Sequence, residues 1–447
     1  MSWTFIYLLD LIGFILFVVS YYRRCYRKGY RIDVWHASVF LYCVLPNMLM
    51  LPFAKSDLNV LVLGKDLSAV VLVLPLIFVI TFFGYASVLI GGLLWRLKAG
   101  LRLRKDLARV LQIVPKCSLM LMSSRRVLIF QSALCLLGQC LILGFYFSAV
   151  GFGFDLRSYT FENPTLRPLA LLVSSYSVII ASHCLARYVD TKEKSLLLCT
   201  LILTFGLIFF GARGTLVSIY LNVLICYFVM LGTKVSMTRM LSFMSAALIF
   251  MFYLGNVRAG DYSPGGFIAS FVTLVFYGNN FSDLRDFAWV YSAWDHVYWN
   301  GKTYLAAIMS FVPRFASEFR DYWALGAKTA STVGFDPQVH PGLRPGVFGE
   351  GFFNFGLPGV IIVGLMLGLT TRWVDVEVKQ AVSPPCPSMM KAFASTMLLA
   401  VSGTLAISAG FSGLYILAAV FLFSWFCLGV ERFFRPNSAT ANSTFHA

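Results

Sequence analysis

Apolar residues in this chain run in long stretches separated by short basic segments, and no polar face recurs at helical spacing within those stretches. A helix on the surface of a soluble protein needs such a face, whereas one that is apolar all round is buried or faces lipid. Eleven stretches reach or approach the roughly 17–25 residues that cross a hydrocarbon core. Their cores lie at 3–21, 34–54, 70–95, 127–150, 169–186, 196–211, 215–232, 240–255, 347–369, 392–410 and 414–430, the sixth and eighth being short. The pattern predicts an all-α polytopic membrane protein of about 11 transmembrane helices, with one large, partly helical loop between spans 8 and 9. The chain then divides into spans 1–8 (1–256), the loop (257–346), spans 9–11 (347–430) and a tail (431–447) whose Ser/Asn/Thr-rich end is expected to be disordered.

Charge adds an orientation. Only 13% of the 447 residues are charged, about half of what a soluble domain carries. The net charge of +16 raises nucleic acid as a partner, but the Lys and Arg residues sit in short clusters between spans, as topology signals facing anionic headgroups do. No nucleic-acid face is expected. With the N-terminus outside, cytoplasmic segments hold 24 of the 36 basic residues, led by Arg23–Lys28 and Arg96–Arg109. An odd number of spans then places the C-terminus inside. The ten cysteines lie in spans or basic segments and none in the long loop, so no disulfide is expected, and no CxxC or Cys/His cluster has zinc spacing. Neither a metal nor a cofactor is expected. The N-terminal stretch lacks a basic n-region and a cleavage site, and reads as a first span rather than a removable signal.

Three places could carry chemistry. Gly211-Ala212-Arg213-Gly214 joins spans 6 and 7. An arginine there is costly unless it meets water, a carboxylate or an anion, and the glycines permit a tight reversal. It reads either as a hairpin turn with Arg213 at the headgroups or as a phosphate-binding arginine. The long loop is the second place, with Arg258, Arg314, Arg320 and Arg344 among its seven basic residues. Guanidinium groups converging on one site would hold a pyrophosphate without a metal; otherwise each pairs with a nearby carboxylate. Stretches 286–299 and 303–312 alternate aromatic, apolar and polar residues at near-helical spacing, which suits interfacial helices with Trp289, Trp294, Trp299 and Trp323 at headgroup depth. Third, Glu350 sits at the outer mouth of span 9, where an unpaired carboxylate is expensive. It is a candidate acceptor of a hydroxyl proton, or one half of an ion pair with an arginine. Asp336 and His340 compete as general bases. The chain has no Walker motif and no GxSxG elbow, and the loop has no Asp-x-Asp pair.

Gly211-Ala212-Arg213-Gly214, Phe311-Val312-Pro313-Arg314 in the loop, and Gly349-Glu350-Gly351-Phe352-Phe353-Asn354-Phe355-Gly356 at span 9 together give a resemblance. The chain resembles the Wzy-type O-antigen and oligosaccharide repeat-unit polymerases of bacterial inner membranes. The last run is similar to that family's Gly-Glu-x-x-x-Asn-Phe-Gly. It departs at Arg320, which Asp321 follows where the family pattern has proline. The resemblance implies an inverting, metal-independent glycosyltransferase that moves a growing glycan from undecaprenyl pyrophosphate onto the next lipid-linked repeat unit. Arg213, Arg258, Arg314, Arg320 and Arg344 would then hold pyrophosphate, and Trp289, Trp294 and Trp323 would stack on sugars. Glu350, Asp336 or His340 would deprotonate the acceptor hydroxyl. Implied partners are the lipid-linked substrates, membrane lipids and a chain-length regulator; the implied place is the inner membrane, with the N-terminus periplasmic and the C-terminus cytoplasmic. An O-antigen ligase, depending on a loop histidine, and a lipid-linked oligosaccharide flippase or transporter are the competing readings.

Overall fold

Among the described residues of the computed structural model, all regular structure is helical. They are 3–44, 68–95, 109, 111–152, 156, 159–160, 163, 165–210, 213–258, 283–312, 316–337, 340 and 342–434. Helices suit a lipid-facing chain because every backbone N–H and C=O is satisfied within the segment. In order they are α1 (Trp3–Arg24), α2 (Val34–Val39), α3 (Ser68–Leu94), α4 (Ile113–Ser123), α5 (Arg125–Val150), α6 (Leu166–Thr191), α7 (Lys194–Phe209) and α8 (Arg213–Leu231). There follow α9 (Met237–Arg258), α10 (Asp283–Ser292), α11 (Lys302–Ile308), α12 (Glu318–Trp323), α13 (Leu325–Thr332), α14 (Gly346–Ala381), α15 (Met389–Ala406) and α16 (Phe411–Phe434).

Seven helices among the described residues are long and apolar enough to cross a membrane, in α1, α3, α5, α6, α14, α15 and α16. The chain is therefore an all-helical, multi-pass membrane protein. The stretches at 196–211, 215–232 and 240–255 fall in α7, α8 and α9, which are not among the seven. The stretch at 34–54 begins with α2 and a π turn at Phe40–Val44; its remainder lies outside the described residues, as do most of 96–110 and the tail from 435.

Packing divides the chain into two units that do not follow the linear segments. The first comprises 1–111, 224–388 and 395–414; the second comprises 112–223, 389–394 and 415–447. In the first, α3 and α14 meet through small residues. A Cβ on Gly364 would stand 2.6 Å from the Gly84 carbonyl oxygen, and one on Gly368 would collide with that of Val88. Such close backbone approach is how helices associate where lipid removes the hydrophobic drive. Helix α10 packs on α3 and is buried from Leu284 to Val290. Leu284, Phe287, Trp289, Trp294 and Trp299 join one core with Leu74, Ile77, Phe348 and Phe353. The interfacial placing of these tryptophans is thus corrected: alternating aromatic and apolar residues here cover a helix enclosed by protein rather than one resting on headgroups.

The second unit is built on α5, α6 and α7 and holds its interior together with neutral hydrogen bonds. Gln131 Nε2 donates to Ser424 Oγ at 2.9 Å, and Gln139 Nε2 donates to Ser177 Oγ at 3.0 Å and to the Leu203 carbonyl at 3.2 Å. Each such bond contributes roughly 0.6–2 kcal/mol in a membrane interior. The Asp190 carboxylate accepts from the N–H groups of Met389 at 2.7 Å and Met390 at 2.9 Å, satisfying the start of α15. Within both units, chain ends assigned to one side by the charge pattern are found together: Arg31 with Val235, Asp33 with Lys379, Ser124 with Glu431, and Thr303 with Glu350.

Candidate functional site

Gly349 to Gly356 form the first arm of α14. Gly356 takes φ +67° and ψ −155°, a region essentially reserved for glycine, and there the helix breaks. The arm folds back on the rest of α14, so closely that a Cβ on Gly351 would lie 3.1 Å from the Gly359 carbonyl oxygen. Glu350 and Asn354, four residues apart, share one face of this arm.

That face closes on the loop. Thr303 donates through its hydroxyl to Glu350 Oε1 at 2.7 Å, and the Ser408 N–H donates to Glu350 Oε2 at 2.8 Å. Asn354 Nδ2 donates to Thr303 Oγ1 at 2.8 Å and to the Glu350 carbonyl at 2.9 Å. The Trp299 and Asn300 N–H groups donate to the Phe353 and Asn354 carbonyls at 2.8 and 3.1 Å, while the Trp299 ring stacks on Phe353 at 4.8 Å. Glu350, Thr303 and Asn354 are each 0% exposed. Among the described residues the partners of the Glu350 carboxylate are neutral donors, and the arginines whose side chains are described are not among them. Among the described residues, the buried Asn354 Oδ1 beside this carboxylate has no hydrogen-bond partner. Buried polar groups rarely stay unpaired unless a ligand, ion or water completes them. Burial, then the negative charge of Glu350, pushes the nearby Tyr304 phenol well above its ordinary range.

No known protein-family model, curated protein or solved structure matches this chain.

The other sequence candidates scatter around this joint. His340 is half-buried and lies nearly parallel to the Phe335 ring at 4.3 Å. Its Nδ1 accepts from the Gly342 N–H at 3.0 Å, which leaves the proton on Nε2 in the neutral ring. Asp336 is exposed, and its carbonyl accepts from the His340 N–H at 2.8 Å. Arg344 is exposed, with its backbone N–H on Asp286 Oδ2 at 3.2 Å. Arg320 is half-buried in α12, where Ser317 Oγ caps its N–H at 3.2 Å. Arg213 opens α8 and Arg258 closes α9, but both side chains, together with Gly211, Ala212 and Arg314, lie outside the described residues.

The stacking tryptophans divide. Trp289 is 5% exposed and set edge-on to Phe335; Trp294 is 7% exposed and packed against Phe352 and Phe353. Neither offers a free face, which corrects their assignment to sugar. Trp323 stays half-buried, with Lys302 Nζ 4.5 Å and Lys328 Nζ 5.0 Å from its ring centre.

Two charged clusters lie apart from these candidates, the first being a local pairing of a loop arginine with a nearby carboxylate. Arg285 and Asp286 form a buried pair at 3.0 Å in α10, next to Asp283, whose carboxyl is pushed up to about 6 by burial and by Asp286, against the pull of Arg344. At the far end of α14, Lys379 Nζ reaches Asp33 Oδ2 at 2.7 Å and Asp375 at 3.0 Å, and Arg372 binds Asp375 at 2.8 Å. Burial alone would raise the Asp33 carboxyl, but hydrogen bonding and charge from His36 and then Lys379 hold it well below the ordinary range. The 372, 375, 379 spacing was a legible signal of a charged helix face; the arrival of Asp33 was not.

Proposed function

We propose that the chain is a glycan polymerase of the Wzy type, acting on undecaprenyl-pyrophosphate-linked repeat units at the outer face of a bacterial inner membrane. The observation that carries this reading is the joint between the loop and the Glu350 arm, where, among the described residues, a buried carboxylate held by neutral donors adjoins the unpartnered Asn354 Oδ1. Ordering such a joint is what a site for a hydroxyl-rich substrate requires. The reaction in this reading is a direct displacement. An acceptor hydroxyl oxygen attacks the donor's anomeric carbon, the bond from that carbon to pyrophosphate breaks, and the hydroxyl proton passes to a base. The pyrophosphate leaves with the bonding electrons and meets Arg213, Arg258, Arg314, Arg320 and Arg344, which stabilise the charge that develops. Glu350, enclosed and with both oxygens occupied, serves to position the arm against Thr303 and Ser408. Asp336 and His340 keep contact with solvent; in this reading the Asp336 carboxylate accepts the hydroxyl proton, because His340 Nε2 already carries one while Nδ1 accepts from the Gly342 N–H. Trp323 is the ring left to meet a sugar.

One observation favours a second reading. A histidine with one nitrogen fixed and its ring braced on Phe335 also fits an O-antigen ligase, which would use the same donor with lipid A core as acceptor. The test is deletion in the native bacterium, complemented with wild type, Arg213→Ala, His340→Ala or Glu350→Gln, followed by gel separation of surface glycans. The polymerase reading expects lipid A core bearing a single repeat unit in the deletion strain, and no ladder from Arg213→Ala or Glu350→Gln at normal protein level. Full-length polymer retained on the lipid carrier would make the chain a ligase. Lipid-linked single units held at the cytoplasmic face would make it a transporter.

A further inference from the structure

The segment after α1 turns back within a few residues. Cys25 follows the helix directly, Gly29 takes φ +86° to reverse the chain, and Asp33 caps α2 by accepting from the His36 N–H at 2.8 Å. The reversal brings one ligand atom from each of Cys25, Asp33 and His36 within 4.8 Å of one another. All three residues are at most 2% exposed. We propose that they form a zinc-type metal site, apart from the Glu350 joint and independent of the glycan reading.

The donor set decides the class of ion. One thiolate, one imidazole nitrogen and one carboxylate oxygen suit zinc and exclude magnesium or calcium, which prefer oxygen alone. The surroundings already hold two ligands in place, as outer partners do at metal centres. His36 Nε2 lies 3.2 Å from Ser20 Oγ, which leaves Nδ1 to face the site, and Asp33 Oδ2 is fixed by Lys379 Nζ at 2.7 Å. The ammonium charge of Lys379 does not repel an ion unopposed, because Asp375 sits 3.0 Å from it.

Geometry asks for small movements. His36 Nδ1 and Asp33 Oδ1 stand 2.7 Å apart. Tetrahedral zinc separates such ligands by about 3.3 Å, so roughly half an ångström of opening admits the ion while Cys25 closes from the other side. The Tyr30 carbonyl oxygen, 3.6 Å from Cys25 Sγ, is placed to be the fourth ligand. Binding displaces the thiol proton of Cys25 into solution and moves the His36 ring proton from Nδ1, where it now meets Asp33 Oδ1, to Nε2, where Ser20 Oγ accepts it. With four protein ligands and no exposure, the site is structural: it ties the end of α1 to α2 and, through Asp33 and Lys379, to α14.

The experiment uses the full chain, purified in detergent without chelator, with metal measured by plasma mass spectrometry. About one zinc per chain is expected, and exchange with cobalt should produce a thiolate-to-cobalt charge-transfer band in the near ultraviolet. Cys25→Ser should remove that band and bring zinc below about a tenth of an equivalent, whereas Cys386→Ser, at an exposed cysteine, should change neither. Should Cys25→Ser fail to fold, as judged by size-exclusion elution, the wild-type metal content and cobalt spectrum still decide. Wild type that stays below about a tenth of an equivalent after dialysis against zinc overturns the site. So does a cobalt spectrum lacking the thiolate band, or a folded Cys25→Ser that keeps its zinc.

Discussion

The long arm of α14, residues 357–381, spans about 37 Å at 1.5 Å per residue, and buried carboxylates lie near both of its ends. At one end Glu350 is held by a hydroxyl and a backbone N–H; at the other Asp33 and Asp375 are held by Lys379 and Arg372. Both ends bury acid, but among the described residues only one supplies countercharge. Buried ion pairs fix geometry at the price of rigidity, and removing one partner strands the other. A carboxylate held by neutral donors can part from them without stranding an opposite charge. The difference separates a fastening from a working joint on the same helix.

The largest effect should come from Lys379→Met. Two carboxylates would lose their shared cation, and destabilisation of about 3–5 kcal/mol is expected, read as a lowered unfolding midpoint in detergent. A loss under about 1 kcal/mol would mean that this end is not the fastening described. Next comes Glu350→Gln, which keeps the shape but replaces an acceptor with a donor facing the Ser408 N–H or the Thr303 hydroxyl. A loss of about 1–3 kcal/mol is expected, with the glycan ladder abolished. A normal ladder from a stable Glu350→Gln protein would erase the distinction between the two ends.

Asp190 offers a control, a carboxylate that accepts from the backbone N–H groups at the start of α15. Asp190→Ala should cost about 1 kcal/mol and leave the ladder intact. If the ladder is lost at unchanged protein level, backbone N–H donors on a carboxylate mark no special role for Glu350.

These comparisons rest on features the sequence disclosed unequally. Apolar length is local, so stretches such as 70–95, 127–150 and 414–430 coincide with α3, α5 and α16. The charged spacing at Arg372, Asp375 and Lys379 was equally open to reading. The fold-back at Gly356 was not, since a glycine before Leu-Pro-Gly fits a straight helix start as well as a break. Trp289 and Trp294 carry a pattern common to interfacial and enclosed helices, and only the packing of α10 on α3 chooses between them. Glu350 was visible as a costly acid, but its partners were a plain threonine and the N–H of Ser408, and a backbone donor leaves no trace in residue types.

Asp283 gives the smallest and most discriminating test, because it is an acid near the Glu350 arm that faces a like charge. Its carboxyl sits beside Asp286 and against Gly346, and is pushed up to about 6. The folded state therefore binds this proton more tightly than the unfolded chain. Its stabilising contribution is complete below about pH 4, the unfolded carboxylate value, and is lost as pH rises towards about 6. Although packing around the carboxyl raises it, the residue as a whole is exposed, so screening should hold the effect below about 1 kcal/mol. Unfolding midpoints taken from pH 4 to 7 should show this slope in wild type and lose it in Asp283→Asn. A wild-type slope of opposite sign, with stability rising over that range and the rise absent in the variant, would mean that Arg344 rather than Asp286 governs this carboxyl. The entrance to the loop would then belong with the countercharged end of the comparison rather than with Glu350.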